Sequence, residues 1–206
     1  RSSALPQDTV AAAGIDGTLL VWNAGTGEVL RQWKEDRVAA AVFLSKGPWL
    51  LSAHVARRAV VRNLADGKTL FQRALPDEPK QMAVSPDQAT LAIADARGRI
   101  TLYSLPGLSP LAVLNHEHGG PVASVAFSSD GALLATGGND RQVAVWEART
   151  HRKLLMLPKQ QGPIFALAFE PGGDRLAICG VEEHVTVWDL GEVRRQLASL
   201  GLDWEQ

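Results

Sequence analysis

Cysteine is nearly absent from this chain of 206 residues, because Cys179 is the only one. A single thiol forms no intramolecular disulfide and provides no multi-cysteine metal site. Long apolar runs are also absent, since none approaches the roughly 18 residues that indicate a membrane-spanning helix. Neither sign of charge is in excess, because 21 Lys and Arg residues face 22 Asp and Glu residues. That balance argues against a nucleic-acid-binding domain, which is normally strongly basic.

A secretion leader is not visible in the opening residues, Arg1-Ser2-Ser3-Ala4, which lack a charged segment followed by an apolar one. We therefore expect a cytoplasmic location. Hydrophobic residues make up 46% of the chain, which argues against disorder. The length suits one domain or slightly more, with enough chain to bury a core.

Tryptophan accounts for six of the twelve aromatic residues, and it marks an internal repeat. Trp22, Trp146 and Trp188 each end a short apolar segment, and Arg62 and Tyr103 occupy the same place in two intervening units. These five anchor positions follow one another at steps of 40 to 43 residues. Such a period indicates five copies of one structural unit.

Each unit contains short segments that predict β-strands. The anchor segment at residues 142–146 alternates with the period of two that is typical of a strand, and so does the segment at 184–188. Turn residues, such as those at 66–67 and 128–131, separate the segments. One small antiparallel sheet cannot bury both of its faces, so we expect neighbouring copies to stack.

The fourth unit, residues 118–157, carries the most complete motif, with its characteristic segments at 127–131 and 134–138. Through these segments the chain resembles the WD40-repeat β-propellers, and the resemblance extends over residues 9–189. It implies an all-β fold of four-stranded antiparallel blades. It also implies a structural hydrogen-bonded tetrad within the blade, formed here by His118, Thr136, Asp140 and Trp146.

The other four units keep only parts of that tetrad. The first retains Asp16 and Trp22, with Ala12 at the position of the hydroxyl residue, and the fifth retains Trp188. The second and third units lose the tetrad almost entirely. The residues that replace it are Ala56 and Arg62 in the second unit, Arg97 and Tyr103 in the third, and Gln160 and Glu182 in the fifth.

The domain organisation follows from the repeat. We expect propeller blades at residues 1–190, with a partial first blade, and a helical tail at residues 191–206. About five blades are present, so we expect an incomplete propeller that is the C-terminal part of a longer protein. The alternative is a short propeller closed by itself or by a second chain. The tail resembles that of bacterial WD40-repeat proteins, some of which carry a serine/threonine kinase domain upstream.

Catalytic and metal chemistry find little support in the sequence. His116 and His118 share a face of an extended segment. Zinc, however, takes three or four ligands, and no further Cys or His lies at a matching spacing. The predicted first strands, such as those at 122–127 and 164–169, contain almost no acids, bases or nucleophiles. We therefore expect no catalytic residue, no metal and no cofactor.

The sequence thus predicts a noncatalytic scaffold that binds other proteins or peptides through its loops, without nucleic-acid or membrane binding. Two alternatives stay open. One is a regulatory or sensor propeller attached to an upstream enzyme such as a kinase, and the other is a small-ligand-binding or enzymatic propeller. The candidate partner-binding residues are Arg37, Arg57, Arg58, Lys80, Arg97, His116, Glu117, Asn139 and Glu183.

Overall fold

The computed structural model describes residues 8–114, 119–181 and 185–201. These residues form eighteen β-strands in five antiparallel sheets, followed by one α-helix. The all-β fold and the repeated small sheets that the sequence predicts are confirmed. Among the described residues, no helix has both the length and the apolar character that crossing a membrane requires.

Each sheet is built from strands that are consecutive in the chain. Sheet 1 consists of β1 (Thr9–Ala13), β2 (Thr18–Asn23) and β3 (Val29–Lys34). Sheet 2 consists of β4 (Val38–Leu44), β5 (Trp49–His54), β6 (Arg58–Asn63) and β7 (Thr69–Ala74). Sheet 3 consists of β8 (Pro79–Val84), β9 (Thr90–Asp95), β10 (Ile100–Ser104) and β11 (Ser109–Leu114).

The remaining elements follow the same plan. Sheet 4 consists of β12 (Val122–Phe127), β13 (Leu133–Gly138), β14 (Val143–Glu147) and β15 (Lys153–Met156). Sheet 5 consists of β16 (Ile164–Phe169), β17 (Arg175–Gly180) and β18 (Val185–Asp189). Helix α1 (Leu190–Ser199) follows directly, so it begins inside the range that the sequence assigns to the blades. Asp189 caps it, because its side chain accepts a hydrogen bond of 2.8 Å from the backbone N–H of Glu192.

Tight turns join the strands, and one of them requires glycine. Gly17 lies between β1 and β2 at a φ of +84°, a conformation that L-residues rarely adopt. A Cβ at this position would also lie 1.9 Å from the backbone carbonyl oxygen of Glu35. The first turn therefore fits against the loop that leads into sheet 2 only without a side chain.

The sheets stack face to face through their first strands, because β4 contacts β8, β8 contacts β12, and β12 contacts β16. Apolar side chains fill the space between neighbouring sheets. Leu102 of sheet 3 clusters with Val122 and Leu134 of sheet 4, and Leu51 of sheet 2 clusters with Ile93 of sheet 3. The stacking that the repeat predicts is therefore confirmed, and sheets 2, 3 and 4 are enclosed on both faces.

The last sheet differs in what covers it. Val143 and Val145 of β14 are buried between sheets 4 and 5. Their equivalents in the repeat, Val185 and Val187, are each 58% exposed on β18. The same sequence pattern thus gives a buried strand in sheet 4 and a half-covered one in sheet 5.

Candidate functional site

One end of the stacked sheets gathers the loops that the sequence singles out. Two kinds of segment meet there, namely the loops that precede the first strands and the turns between the second and third strands. We call this surface the loop face, formed by residues 35–37, 55–57, 75–78, 96–99, 119–121 and 139–142. Backbone hydrogen bonds hold each turn to its loop, from Val55 N–H to Arg37, from Ala96 N–H to Glu78, and from Asn139 N–H to Pro121. The loop face is therefore a fixed surface.

Part of the expected tetrad is visible beneath the loop face in sheet 4. The indole N–H of Trp146 donates a hydrogen bond of 3.1 Å to the hydroxyl oxygen of Thr136, and both residues are buried. Asp140 lies in the following turn, where its carboxylate accepts from the backbone N–H of Gln142 at 3.2 Å. His118 lies outside the described residues, so the complete tetrad stays a prediction.

Sheet 2 holds a polar cluster that the sequence reasoning missed. Its strand register is that of sheet 4, because Leu50 pairs with Arg62 as Leu134 pairs with Trp146. Arg62 therefore lies where the tryptophan is expected, and Ser52 lies where Thr136 lies in sheet 4. Arg62 Nη1 donates a hydrogen bond of 3.0 Å to the Ser52 hydroxyl oxygen, so the bond between these two positions is kept with different residues.

Two carboxylates complete this cluster from the loop before β4. Glu35 forms an ion pair with the buried Arg62, whose side chain is 3% exposed. Glu35 also accepts from Arg58 Nη2 at 2.6 Å, and Asp36 accepts from Arg58 Nε at 2.9 Å. The Arg62 guanidinium lies 5.4 Å from the centroid of the Trp33 ring, a cation–π distance.

His54 is the remaining member of the cluster and is completely buried. Its Nε2 atom lies 2.9 Å from the hydroxyl oxygen of Ser52, and its Nδ1 atom lies 3.4 Å from the backbone carbonyl oxygen of Asp36. We call Glu35, Asp36, Ser52, His54, Arg58 and Arg62 the sheet 2 network. Sequence signals for it existed: a hydroxyl residue at the expected register and two acids before the strand.

The protonation of the network follows from burial and charge. Burial lowers the pKa of His54, although the neighbouring Asp36 acts in the opposite direction. Burial raises the pKa of Asp36, but the hydrogen bond from Arg58 and the nearby charges outweigh it, so the net shift is downward. The geometry and the two shifts favour a neutral imidazole of His54 beside an ionised Asp36.

Glu35, Asp36 and His54 could also be considered as metal ligands, since their ligand atoms lie within 4.8 Å of one another. The two oxygens of Glu35 already face Arg62 and Arg58. Those of Asp36 accept from Arg58 and from the backbone N–H of Ala56. A cation would have to displace two guanidinium groups, so the arrangement fits an internal ion-pair network better than a metal site.

The residues retained from the tetrad in the first and fifth units have different surroundings. Asp16 is exposed and binds Lys34 Nζ at 2.5 Å, and this hydrogen bond is the main reason that the pKa of Asp16 is lowered. Trp22 is partly buried. Trp188 has a buried indole N–H without a hydrogen-bond partner among the described residues. At the register of Thr136, sheet 5 has Ile178, which cannot accept a hydrogen bond.

The predicted partner-binding residues that the structure describes lie on or next to the loop face. Arg57 of the β5–β6 turn and Arg97 of the β9–β10 turn both approach Asp77, with an Nη2–Oδ1 distance of 3.8 Å and an Nε–Oδ2 distance of 2.5 Å. Arg37 and Asn139 are exposed. Arg58 belongs to the sheet 2 network, and Lys80 pairs with Glu78 at 2.6 Å. His116, Glu117 and Glu183 lie outside the described residues, as does Glu182.

A family comparison matches the same part of the chain. Residues 108–147 fit the model described as "WD domain, G-beta repeat", which covers most of sheet 4. Residues 108–147 form a WD40 repeat. The strand order of sheet 4 recurs in sheets 2 and 3, so the five sheets are consistent with WD40 propeller blades.

Several proteins share this WD40 relationship. Guanine nucleotide-binding protein subunit beta-like protein 1 of Mus musculus is 29% identical over 137 residues, which is 64% of this chain and 41% of the relative. WD repeat-containing protein slp1 of Schizosaccharomyces pombe is 26% identical over 149 residues, covering 68% of this chain and 29% of the relative. APC/C activator protein CDC20 of Saccharomyces cerevisiae is 26% identical over 153 residues, with 68% and 23% coverage. The chain thus spans less than half of each relative. All three are eukaryotic, so they give no support to the bacterial character expected from the tail.

Proposed function

We propose that this WD40-repeat chain is a noncatalytic interaction module that binds other proteins through its loop face. The observation that carries the proposal is the loop face itself. In sheets 2, 3 and 4, backbone hydrogen bonds hold the turn between the second and third strands to the loop before the first strand. These segments present exposed side chains such as Arg37, Arg57, Arg97 and Asn139. A fixed scaffold with variable polar loops is suited to protein recognition.

The chemistry of the described residues supports a noncatalytic role. Their most concentrated group of titratable side chains is the sheet 2 network, and its carboxylates are occupied by Arg58 and Arg62. A general base or a metal ligand needs a lone pair that is open to substrate or metal. The network instead stabilises the loop before β4. We therefore propose a module that holds neither a cofactor nor a metal.

Other aspects of the proposal rest on composition. The near-zero net charge of −1 supports a module that binds neither nucleic acid nor membrane surfaces. A cytoplasmic location stays a prediction, as does the division of the chain at residue 190.

Site-specific photo-crosslinking tests the proposed function. A photoreactive amino acid replaces Arg37 or Asn139 on the loop face, or Lys46 or Arg149 in exposed turns at the opposite end of the sheets. We expect protein adducts in cells from the two loop-face positions and few from the two control positions. Adducts of equal yield at both ends, or only from Lys46 and Arg149, would overturn the assignment of the loop face.

A further inference from the structure

On the loop face of sheets 2 and 3, the most exposed charged side chains are cationic and the carboxylates are less exposed. Two of its carboxylates pair with arginines of their own sheet: Glu35 pairs with the buried Arg62, and Asp95 accepts from Arg99 Nε at 3.0 Å. A third, Glu78, pairs with Lys80. Arg57 and Arg97 are more exposed than any of these carboxylates. The outer surface of this region is therefore more cationic than the balanced composition of the whole chain would indicate.

Arg57 and Arg97 are the most prominent of these outer cations. Their side chains are 58% and 75% exposed, whereas the Asp77 carboxylate between them is 8% exposed. One carboxylate thus approaches two guanidinium groups, and its single negative charge offsets half of their combined positive charge. Arg97 approaches Asp77 with its Nε atom, and Arg57 approaches it with Nη2 alone, so Arg57 Nη1 and both terminal amino groups of Arg97 are available to a ligand.

The anchoring also fixes the position of the pair across two blades. Asp77 is held by its own hydrogen bond from the backbone N–H of Glu78 at 2.8 Å. Arg57 is held through its backbone, whose carbonyl accepts from Leu75 N–H at 2.7 Å. A ligand that binds both arginines therefore meets two side chains whose backbone positions and shared carboxylate are fixed, which reduces the entropic cost of binding.

We propose that Arg57 and Arg97 form a docking site for an acidic segment of a partner protein, whose carboxylates bind the two guanidinium groups across the boundary between sheets 2 and 3. This inference rests on the proposed function and specifies the chemistry of the partner. Guanidinium groups match carboxylates in a two-pronged geometry, which favours arginine for this recognition. A nucleic-acid strand fits less well, because the chain lacks the broad basic surface that phosphate backbones require.

A fluorescence anisotropy titration with defined probes tests the proposal. The full chain is titrated against labelled peptides of twelve glutamates or twelve glutamines and against a twelve-residue oligothymidylate. We expect binding of the glutamate peptide at low salt, and at least a tenfold loss of affinity in the double variant Arg57→Gln/Arg97→Gln. The matched control, Lys46→Gln/Arg149→Gln, removes the same charge from the opposite end and is expected to change affinity less than twofold.

The other outcomes overturn the inference. Equal losses in the two double variants would show a general charge effect, and equal binding of the oligothymidylate would assign the site to nucleic acid. If the glutamate peptide does not bind while Arg37 and Asn139 still give crosslinks, the acidic partner is wrong and the interaction module stands. Melting temperatures near that of the wild type for both variants exclude misfolding as the cause of a loss.

Discussion

Sheets 2 and 4 solve one structural problem with different chemistry. In both, a large donor on the third strand lies two residues beyond the partner of a hydroxyl residue on the second strand. Sheet 4 uses the neutral pair Thr136 and Trp146, whereas sheet 2 uses Ser52 and Arg62. The cationic Arg62 then requires an anion, and Glu35 provides it from the neighbouring loop. The substitution at one anchor thus explains the acidic loop and the adjoining Arg58 together.

The two solutions differ in how they respond to damage. A neutral hydrogen bond contributes modestly to stability, and its loss costs mainly the desolvation of the group left behind. A buried ion pair contributes little net stability, but removal of one partner leaves an uncompensated charge. Sheet 2 should therefore be more sensitive than sheet 4 to the loss of a single side chain.

The largest effect is expected from Glu35→Ala. The change leaves Arg62 buried without its carboxylate, and we expect a loss of about 3–5 kcal/mol in the free energy of unfolding. The double variant Glu35→Met/Arg62→Met replaces the pair with apolar side chains and should lose much less. Chemical denaturation of the three proteins measures both values. A cost below about 1 kcal/mol for Glu35→Ala would show that the Glu35–Arg62 pair contributes no more than an exposed ion pair does.

The neutral pair of sheet 4 should give a smaller effect. Thr136→Val keeps the shape of the side chain but removes the acceptor of the Trp146 indole N–H, at an expected cost of about 1–3 kcal/mol. Thr150→Val, in an exposed turn of the same sheet, is the matched control and should have little effect. If the two valine variants unfold at the same denaturant concentration, the Thr136–Trp146 bond contributes nothing measurable.

The contrast between the two sheets also shows what a sequence can reveal. The 40-to-43-residue period predicts the repeated sheets and their stacking. It is visible in the sequence because each strand shows its hydrophobic alternation over a few neighbouring residues. The sheet 2 network escaped this reasoning because Glu35 and Arg62 are 27 positions apart and meet only when the strands pair. On the sequence alone, Arg62 indicates a lost tetrad tryptophan, although the sequence also contains a hydroxyl at Ser52 and two acids before β4. The partner chemistry of Arg57 and Arg97 likewise depends on Asp77, which comes from another loop.

Lowering the pH should destabilise sheet 2 through its titratable network. The pKa values of His54 and Asp36 are lowered on folding, so the unfolded chain binds more protons than the folded one in the affected range. The stabilisation from His54 is complete above its unfolded pKa of about 6.5 and is lost as the pH falls toward its folded pKa. We expect the melting temperature to decrease between pH 7 and pH 5, and His54→Gln to remove part of this decrease.

His151→Gln, which changes a histidine away from the network, is the control for this pH series. It should retain the decrease in melting temperature seen with the wild type. A His54→Gln variant with an unaltered pH profile would contradict the assignment of this acid sensitivity to the sheet 2 network.

The smallest expected effect concerns sheet 5, which keeps the tryptophan but has lost the acceptor. Ile178 lies at the register of Thr136, and the indole N–H of Trp188 is buried without a partner among the described residues. Burial of a hydroxyl in an apolar core normally costs about 1–3 kcal/mol when it finds no hydrogen bond. In Ile178→Thr, the new oxygen lies where Thr136 accepts in sheet 4, so this cost should be offset. Valine has the shape of threonine but no hydroxyl, so Ile178→Val is the matched control. We expect the free energies of unfolding of the two variants to agree within about 0.5 kcal/mol, because a typical hydrogen bond contributes about 0.5–1.5 kcal/mol and offsets the burial of the hydroxyl. A threonine variant less stable than the valine variant by the full cost of an unpaired hydroxyl would show that sheet 5 has lost the geometry of sheet 4 as well as its acceptor.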